Sequence, residues 1–299
     1  MSETTDNTGR WGEADERGAA NLIDAAKVRS AAGTVGQGRV YPLGREIPAA
    51  SKLAHRGRPA AQHFMGLDGG DYAAGVRLPG DQRYADDTLL IPTHGTTHVD
   101  ALCHFWADDT LYNGHPATRV RSYGATRCGI ENLGGVATRG LLLDFPALFG
   151  VEHLEGGREI GAADVDRCLD AADLRVEPGD CVAIRTGWPL VHERDEDAYH
   201  ASAPGIGVEA ALHLARADVA MVAADTMAVE VQNADGTYCG GAAAPPVHKV
   251  LIRDFGIYLL ELLDLSALAA DEVREFMFVL APLLVSGATG SPVNPIAIA

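Results

Sequence analysis

Positive charge is scarce in this chain. Lys and Arg number 24 against 41 Asp and Glu in 299 residues, a net charge of −17, with an isoelectric point near 4.9. Such a surface repels phosphate backbones and anionic headgroups, so nucleic acid and membrane surfaces are not expected partners. Long apolar runs are missing as well: no stretch reaches the roughly 18 residues a membrane helix needs. The opening Met1-Ser2-Glu3-Thr4-Thr5-Asp6 is polar and acidic, without the basic and then apolar segments of a secretory signal. Cysteine is sparse, and Cys103, Cys128, Cys168, Cys181 and Cys239 include no CxxC pair. That pattern suits reduced, buried thiols and a cytoplasmic setting. No GxSxG elbow supports a serine nucleophile, and no internal repeat is visible.

What remains is ordinary material for a globule: 47% hydrophobic and 22% charged residues. Residues 1–10 read as a disordered polar tail and 11–299 as one domain. Helical spacing is expected over Asp24–Ala32, Ile160–Ala172, Gly207–Ala217 and, with Pro at its first turn, Pro246–Ile252. Strands are expected at Val40–Ile47, Thr88–Ile91, Gly140–Phe145, Cys181–Thr186, Val219–Ala224, Ile257–Leu263 and Glu275–Val285. Strand and helix alternate through the middle of the chain, which predicts an α/β fold with a mixed β-sheet packed by helices. Residues 54–86, with His55 and His63, read as a long loop over the site or a surface insertion. Gly287–Pro295 reads as a closing loop.

The most informative stretch is His94-Gly95-Thr96-Thr97-His98-Val99-Asp100-Ala101-Leu102-Cys103-His104. Eleven histidines spread evenly over the chain would place about 0.4 in such a window; here there are three, with an aspartate. Imidazoles and a carboxylate are the ligands zinc or manganese takes when water must also bind. Gly95, Thr96 and Thr97 disfavour a helix, so a turn or strand end is expected. His94, His98 and Asp100 are candidate metal ligands. His104 is either a further ligand or a general acid/base. Cys103 between them reads as packing behind the site. Far down the chain, Glu261 is embedded in the apolar run Ile257–Leu263, where a charge is costly without a cation, a metal or an arginine. Asp225-Thr226 reads as a strand-end cap or as support for the site.

The 94–105 stretch resembles the HxGTHxDxPxH motif of the cyclase-like metal hydrolases, a family that includes bacterial kynurenine formamidase, isatin hydrolase and a metal-dependent trans-dienelactone hydrolase. It departs in two places: Gly-Thr-Thr-His stands for Gly-Thr-His, and Leu102-Cys103 stands where a proline is usual. The opening Arg10-Trp11-Gly12, with Asp15-Glu16, Gly18 and Asn21, is similar to that of the family's longer members. His248, with the Gly256–Glu261 segment, is similar to its late ligand pair.

The resemblance implies a swivelling β/β/α fold, one or two Zn2+ or Mn2+ ions on His94, His98, Asp100, His248 and Glu261, and His104 as acid/base. It also implies Trp11 as a pocket wall, and His63 is the candidate substrate contact from the 54–86 loop. The activity implied is attack of metal-bound hydroxide on a cyclic amide, imide or aryl formamide. A lactone hydrolase, a non-hydrolytic cyclase or dehydratase, and a binding protein are the alternatives. A small-molecule substrate and a homodimer or homotetramer complete the expectation.

Overall fold

The apolar runs that read as buried strands lie side by side. The computed structural model describes residues 6–47, 52–238 and 246–299. Cys239 and nearly all of the Gly240–Pro246 turn region lie outside the described residues. In chain order the strands are β1 (Val40–Pro42), β2 (Gln62–Leu67), β3 (Asp86–Leu90), β4 (His98–Asp100), β5 (Val120–Arg121) and β6 (Gly124–Ala125). There follow β7 (Val136–Asp144), β8 (Glu159–Ile160), β9 (Cys181–Arg185), β10 (Gly205–Ile206) and β11 (Met221–Ala224). The last are β12 (Tyr258–Glu261), β13 (Glu275–Leu280), β14 (Gly290–Pro292) and β15 (Ile296–Ile298).

Nine of them form one mixed sheet in the order β1-β15-β13-β7-β9-β11-β12-β4-β14. Its centre, β7, β9, β11 and β12, is parallel. Parallel strands need crossovers, and helices supply them. They are α3 (Phe145–Phe149) and α4 (Ala162–Ala171), then α5 (Pro189–Arg194), α6 (Glu196–Ala201) and α7 (Val208–Arg216), then a helical turn ending in the π-helical Lys249–Asp254. With helices packed on them the central strands are buried, which is why their sequences are continuously apolar. Leu141, Leu142, Leu143, Val182 and Val222 are fully buried, each contributing about 1.5–3 kcal/mol relative to exposure.

Local chemistry sets the borders. Asp24 caps α1 (Ala25–Ala32), accepting from the Lys27 amide at 2.8 Å. Asp180, just before β9, is fully buried but paired with Lys27 (2.5 Å) and Arg139 (2.6 Å). Gly256 adopts φ +65° between the π-helical turn and β12, and a Cβ there would meet the Tyr112 ring at 2.5 Å. Among the described residues no helix is long and apolar enough to cross a membrane.

Several expectations change. Val40–Ile47 is a strand only to Pro42. The 54–86 loop is structured: β2 and β3 pair antiparallel around α2 (Gly69–Ala74), forming an arm outside the main sheet. Leu89 and Leu90, expected in a core strand that delivers the motif, are exposed on that arm. An apolar pair carries no mark of whether its own chain covers it. The closing loop contains β14, which pairs with β4. Residues 7–10, expected as tail, are docked. Asn7 is buried and its side-chain amide donates to the Phe255 carbonyl at 2.8 Å, while Arg10 pairs with Asp218.

Candidate metal centre

Three segments converge at one edge of the sheet. Antiparallel pairing of β4 with β12 sets His98 opposite Glu261, and pairing with β14 sets Asp100 opposite Gly290. Thr97 fixes the turn between them: its hydroxyl donates to the Leu262 carbonyl at 2.6 Å and accepts from the Arg45 amide at 3.0 Å. Arg58, at the base of the arm, donates to the His94 carbonyl at 2.6 Å. Gly290 is needed for close approach, since a Cβ there would lie 2.7 Å from His94 Cε1.

The side chains then meet. His94 Nδ1 lies 2.8 Å and His98 Nε2 lies 3.4 Å from Asp100 Oδ1. His98 Nε2 is 3.2 Å from Glu261 Oε2, and His248 Nε2 is 3.4 Å from Glu261 Oε1 and 3.7 Å from Asp100 Oδ2. His94, His98, Asp100, His248 and Glu261 are all buried. Yet among the described residues none of these close contacts gives His94 Nδ1, His98 Nε2 or either Asp100 oxygen a well-aligned hydrogen bond. Buried polar atoms of that kind are costly. The far nitrogen of each imidazole is spoken for. His98 Nδ1 donates to the Thr96 carbonyl (2.7 Å), His248 Nδ1 donates to the Glu230 carboxylate (3.0 Å), and His94 Nε2 hydrogen-bonds Thr289 Oγ1 (3.1 Å). This is the outer hydrogen bonding that fixes metal-binding imidazoles. Zinc bonds of about 2.0–2.2 Å in a tetrahedral site place neighbouring ligand atoms about 3.3–3.6 Å apart; the contacts here run from 2.8 to 3.7 Å. The residues fit a divalent cation.

Charge points the same way. Burial alone would lower His98, yet contact with the carboxylates of Asp100 and Glu261 pushes it up to about 9. Burial would raise Glu261, but His248 and His98 hold it at about 2. Asp100 is likewise held well below its usual value against burial, by His104, His94 and His98. The cluster thus has the field of a cation site filled by protons. His104 behaves differently: burial takes it down to about 4, so the ring is neutral near pH 7. It stacks on His94 with ring centroids 4.0 Å apart and keeps partial access to solvent. One group of candidate ligand atoms joins His94, Asp100 and His104; another joins His98, Asp100 and Glu261. Asp100 is common to both.

Other expected site residues lie elsewhere. His63 is on the arm, half exposed and 2.5 Å from Asp87; its ion-pair partner is there and not in the cluster. Trp11 packs on the main core beneath the Arg10 guanidinium, and Arg10 pairs with Asp218, just before β11. Glu261 closes β12 at the opposite end of these parallel strands. Within the chain Trp11 staples the N-terminal segment. Asp225 caps the strand end, accepting from the amides of Thr186 and Gly187. Cys103 is buried, its thiol pushed up to about 12 by burial, which suits packing and not attack. Sequence reasoning missed Glu230. Its signal was available: a lone acid in the apolar run Met227–Val231, the same mark that singled out Glu261.

The Cyclase family model matches residues 39–231. A crystal structure of a novel cyclase is similar at 33% identity, covering 98% of this chain and 99% of its own, with a TM-score of 0.90. An isatin hydrolase bound to the product analogue thioisatinate is 19% identical over 92% of this chain and 95% of its own, with a TM-score of 0.62. Isatin hydrolase A from Ralstonia solanacearum is 18% identical over 91% and 95%, with a TM-score of 0.59. No curated protein matches the chain.

Proposed function

The chain belongs to the cyclase family, and from that premise we propose that it is a metal-dependent hydrolase that opens or cleaves a cyclic amide, imide or aryl formamide. One observation carries the reading. Buried nitrogens of His94 and His98 crowd the Asp100 carboxylate without a well-aligned hydrogen bond, while the far nitrogen of each imidazole is anchored. His94, His98, Asp100, His248 and Glu261 would hold Zn2+ or Mn2+, with Asp100 able to serve two ions. The bound cation supplies Lewis-acid chemistry, making water acidic and a carbonyl electrophilic.

The chain's own residues do the rest. His104 is neutral near pH 7 and stands on His94 at the exposed side of the cluster. It takes a proton from the attacking water and returns it to the leaving nitrogen. Phe105 lies against His248, ring centroids 5.7 Å apart, and shields that side from water. Glu230 holds the His248 ring in place.

The fold is shared with isatin hydrolases, so isatin is the first substrate to test, followed by an aryl formamide and a dienelactone. Hydrolysis is expected before chelation and not after, with recovery on adding zinc or manganese. Turnover that ignores the chelator would remove the cation from the mechanism. The reading includes a reduced cytoplasmic setting and a homodimer or homotetramer. Supporting the second is the arm, where Phe64, Met65, Leu89 and Leu90 are 48–62% exposed.

A further inference from the structure

A second group of candidate ligands stands apart from the buried centre. His192 is on α5, and Glu196 and His200 are on α6. Asp195 breaks the two helices with extended backbone, φ −153° and ψ 95°. That break folds the three side chains together: one ligand atom from each lies within 4.8 Å of the others. Both imidazoles pack edge-on against the buried Tyr199 ring, at 5.2 and 5.0 Å.

Two features distinguish this from an incidental surface cluster. His192 Nε2 is buried and has no hydrogen-bond partner, an arrangement proteins avoid unless something fills it. His200 packs edge-on against the Tyr199 ring at 5.0 Å and against the His192 ring at 6.1 Å, which fixes its place beside the other two ligands. The surrounding charge favours a cation. Glu193 and Asp195 flank the group in sequence, and Asp197 offsets the charge of the nearby Arg56 at 2.5 Å. Tetrahedral zinc needs ligand atoms about 3.4 Å apart. Rotation of the exposed Glu196 side chain and small ring movements close that gap.

We propose that His192, Glu196 and His200 form a zinc site, distinct from the buried centre, that clamps α5 against α6 beside the base of the arm. The base is already tied there. Tyr199 donates to the Leu53 carbonyl at 3.0 Å, Arg56 pairs with Asp197, and Arg58 reaches on to the His94 carbonyl. Two imidazoles and a carboxylate are a borderline-soft donor set that zinc prefers to magnesium or calcium. An open fourth position is left for water.

The test is equilibrium dialysis of the full chain against zinc, with metal counted per chain. The wild type should hold one ion more than the Glu196→Gln/His200→Gln variant, and Asp100→Asn should keep that ion. Glu196→Gln alone changes an exposed side chain and leaves the fold intact. It should weaken this ion by more than the roughly 10–100-fold that a partner outside the ligand set costs. Equal zinc content in wild type and double variant overturns the proposal. So does an extra ion held more weakly than about 100 µM.

Discussion

Each buried imidazole of the cluster spends one nitrogen on the protein and turns the other inward. That division of labour is what separates His104 from its neighbours. His104→Ala should leave metal content unchanged and lower turnover by about 10²-fold or more, read by elemental analysis beside kinetics. Loss of metal in that variant would make His104 a ligand. Glu230→Gln should cost about 10–100-fold in metal affinity, because the ring of His248 would lose its anionic partner. Protons and metal compete for the same atoms. His98, at about 9 in the metal-free protein, carries a proton at pH 7 that a cation must displace. Zinc addition at pH 7 should therefore release protons, and affinity should rise with pH until His98 has titrated. An indicator dye that detects no release would contradict this. At this scale the sequence was readable wherever ligands crowd together. His94, His98 and Asp100 sit within seven positions and were found by spacing. Glu261 was found because an acid among leucines needs a reason. Glu230 carried the same mark and was passed over. Trp11 was assigned to a pocket by resemblance, although an aromatic this near a terminus reads equally well as a staple to the core, and within the chain it packs beside Arg10.

Between residues and molecule, strands do the positioning. β4 is only three residues long and owes its place to β12 on one side and β14 on the other. The segment around β14 read as a loop because Gly, Ser and Pro hide a strand; its pairing partner, not its composition, makes it one. Gly290 is the tight point, so Gly290→Ala should push His94 aside and weaken metal binding while the rest of the sheet holds. Titration calorimetry would read the change; unaltered affinity would mean that His94 does not depend on this contact. The parallel centre was legible apart from its borders, because strands buried on both faces run continuously apolar; β7 begins at Val136, before the expected Gly140, where Thr138 and Arg139 interrupt the apolar run. The arm was not, since alternating polar and apolar residues with glycines describe an exposed hairpin and a loop equally well.

For the molecule as a whole, the fold gathers the cluster of imidazoles and carboxylates near one edge of a sheet and leaves apolar side chains of the arm exposed among the described residues. If the arm meets a second copy, Leu89→Asp with Leu90→Asp should shift sedimentation towards the monomer without loss of helical or strand signal. Unchanged sedimentation would mean that the arm is not an interface between copies. One domain of α/β class was recoverable from alternation alone; how copies assemble was not, because symmetry leaves no period in a sequence. Anomalous scattering from crystals grown with zinc or manganese would test the central claim most directly. The expected result is a strong peak among His98 Nε2, Asp100 and Glu261. Density for water alone at that position, with both cations supplied, would contradict it.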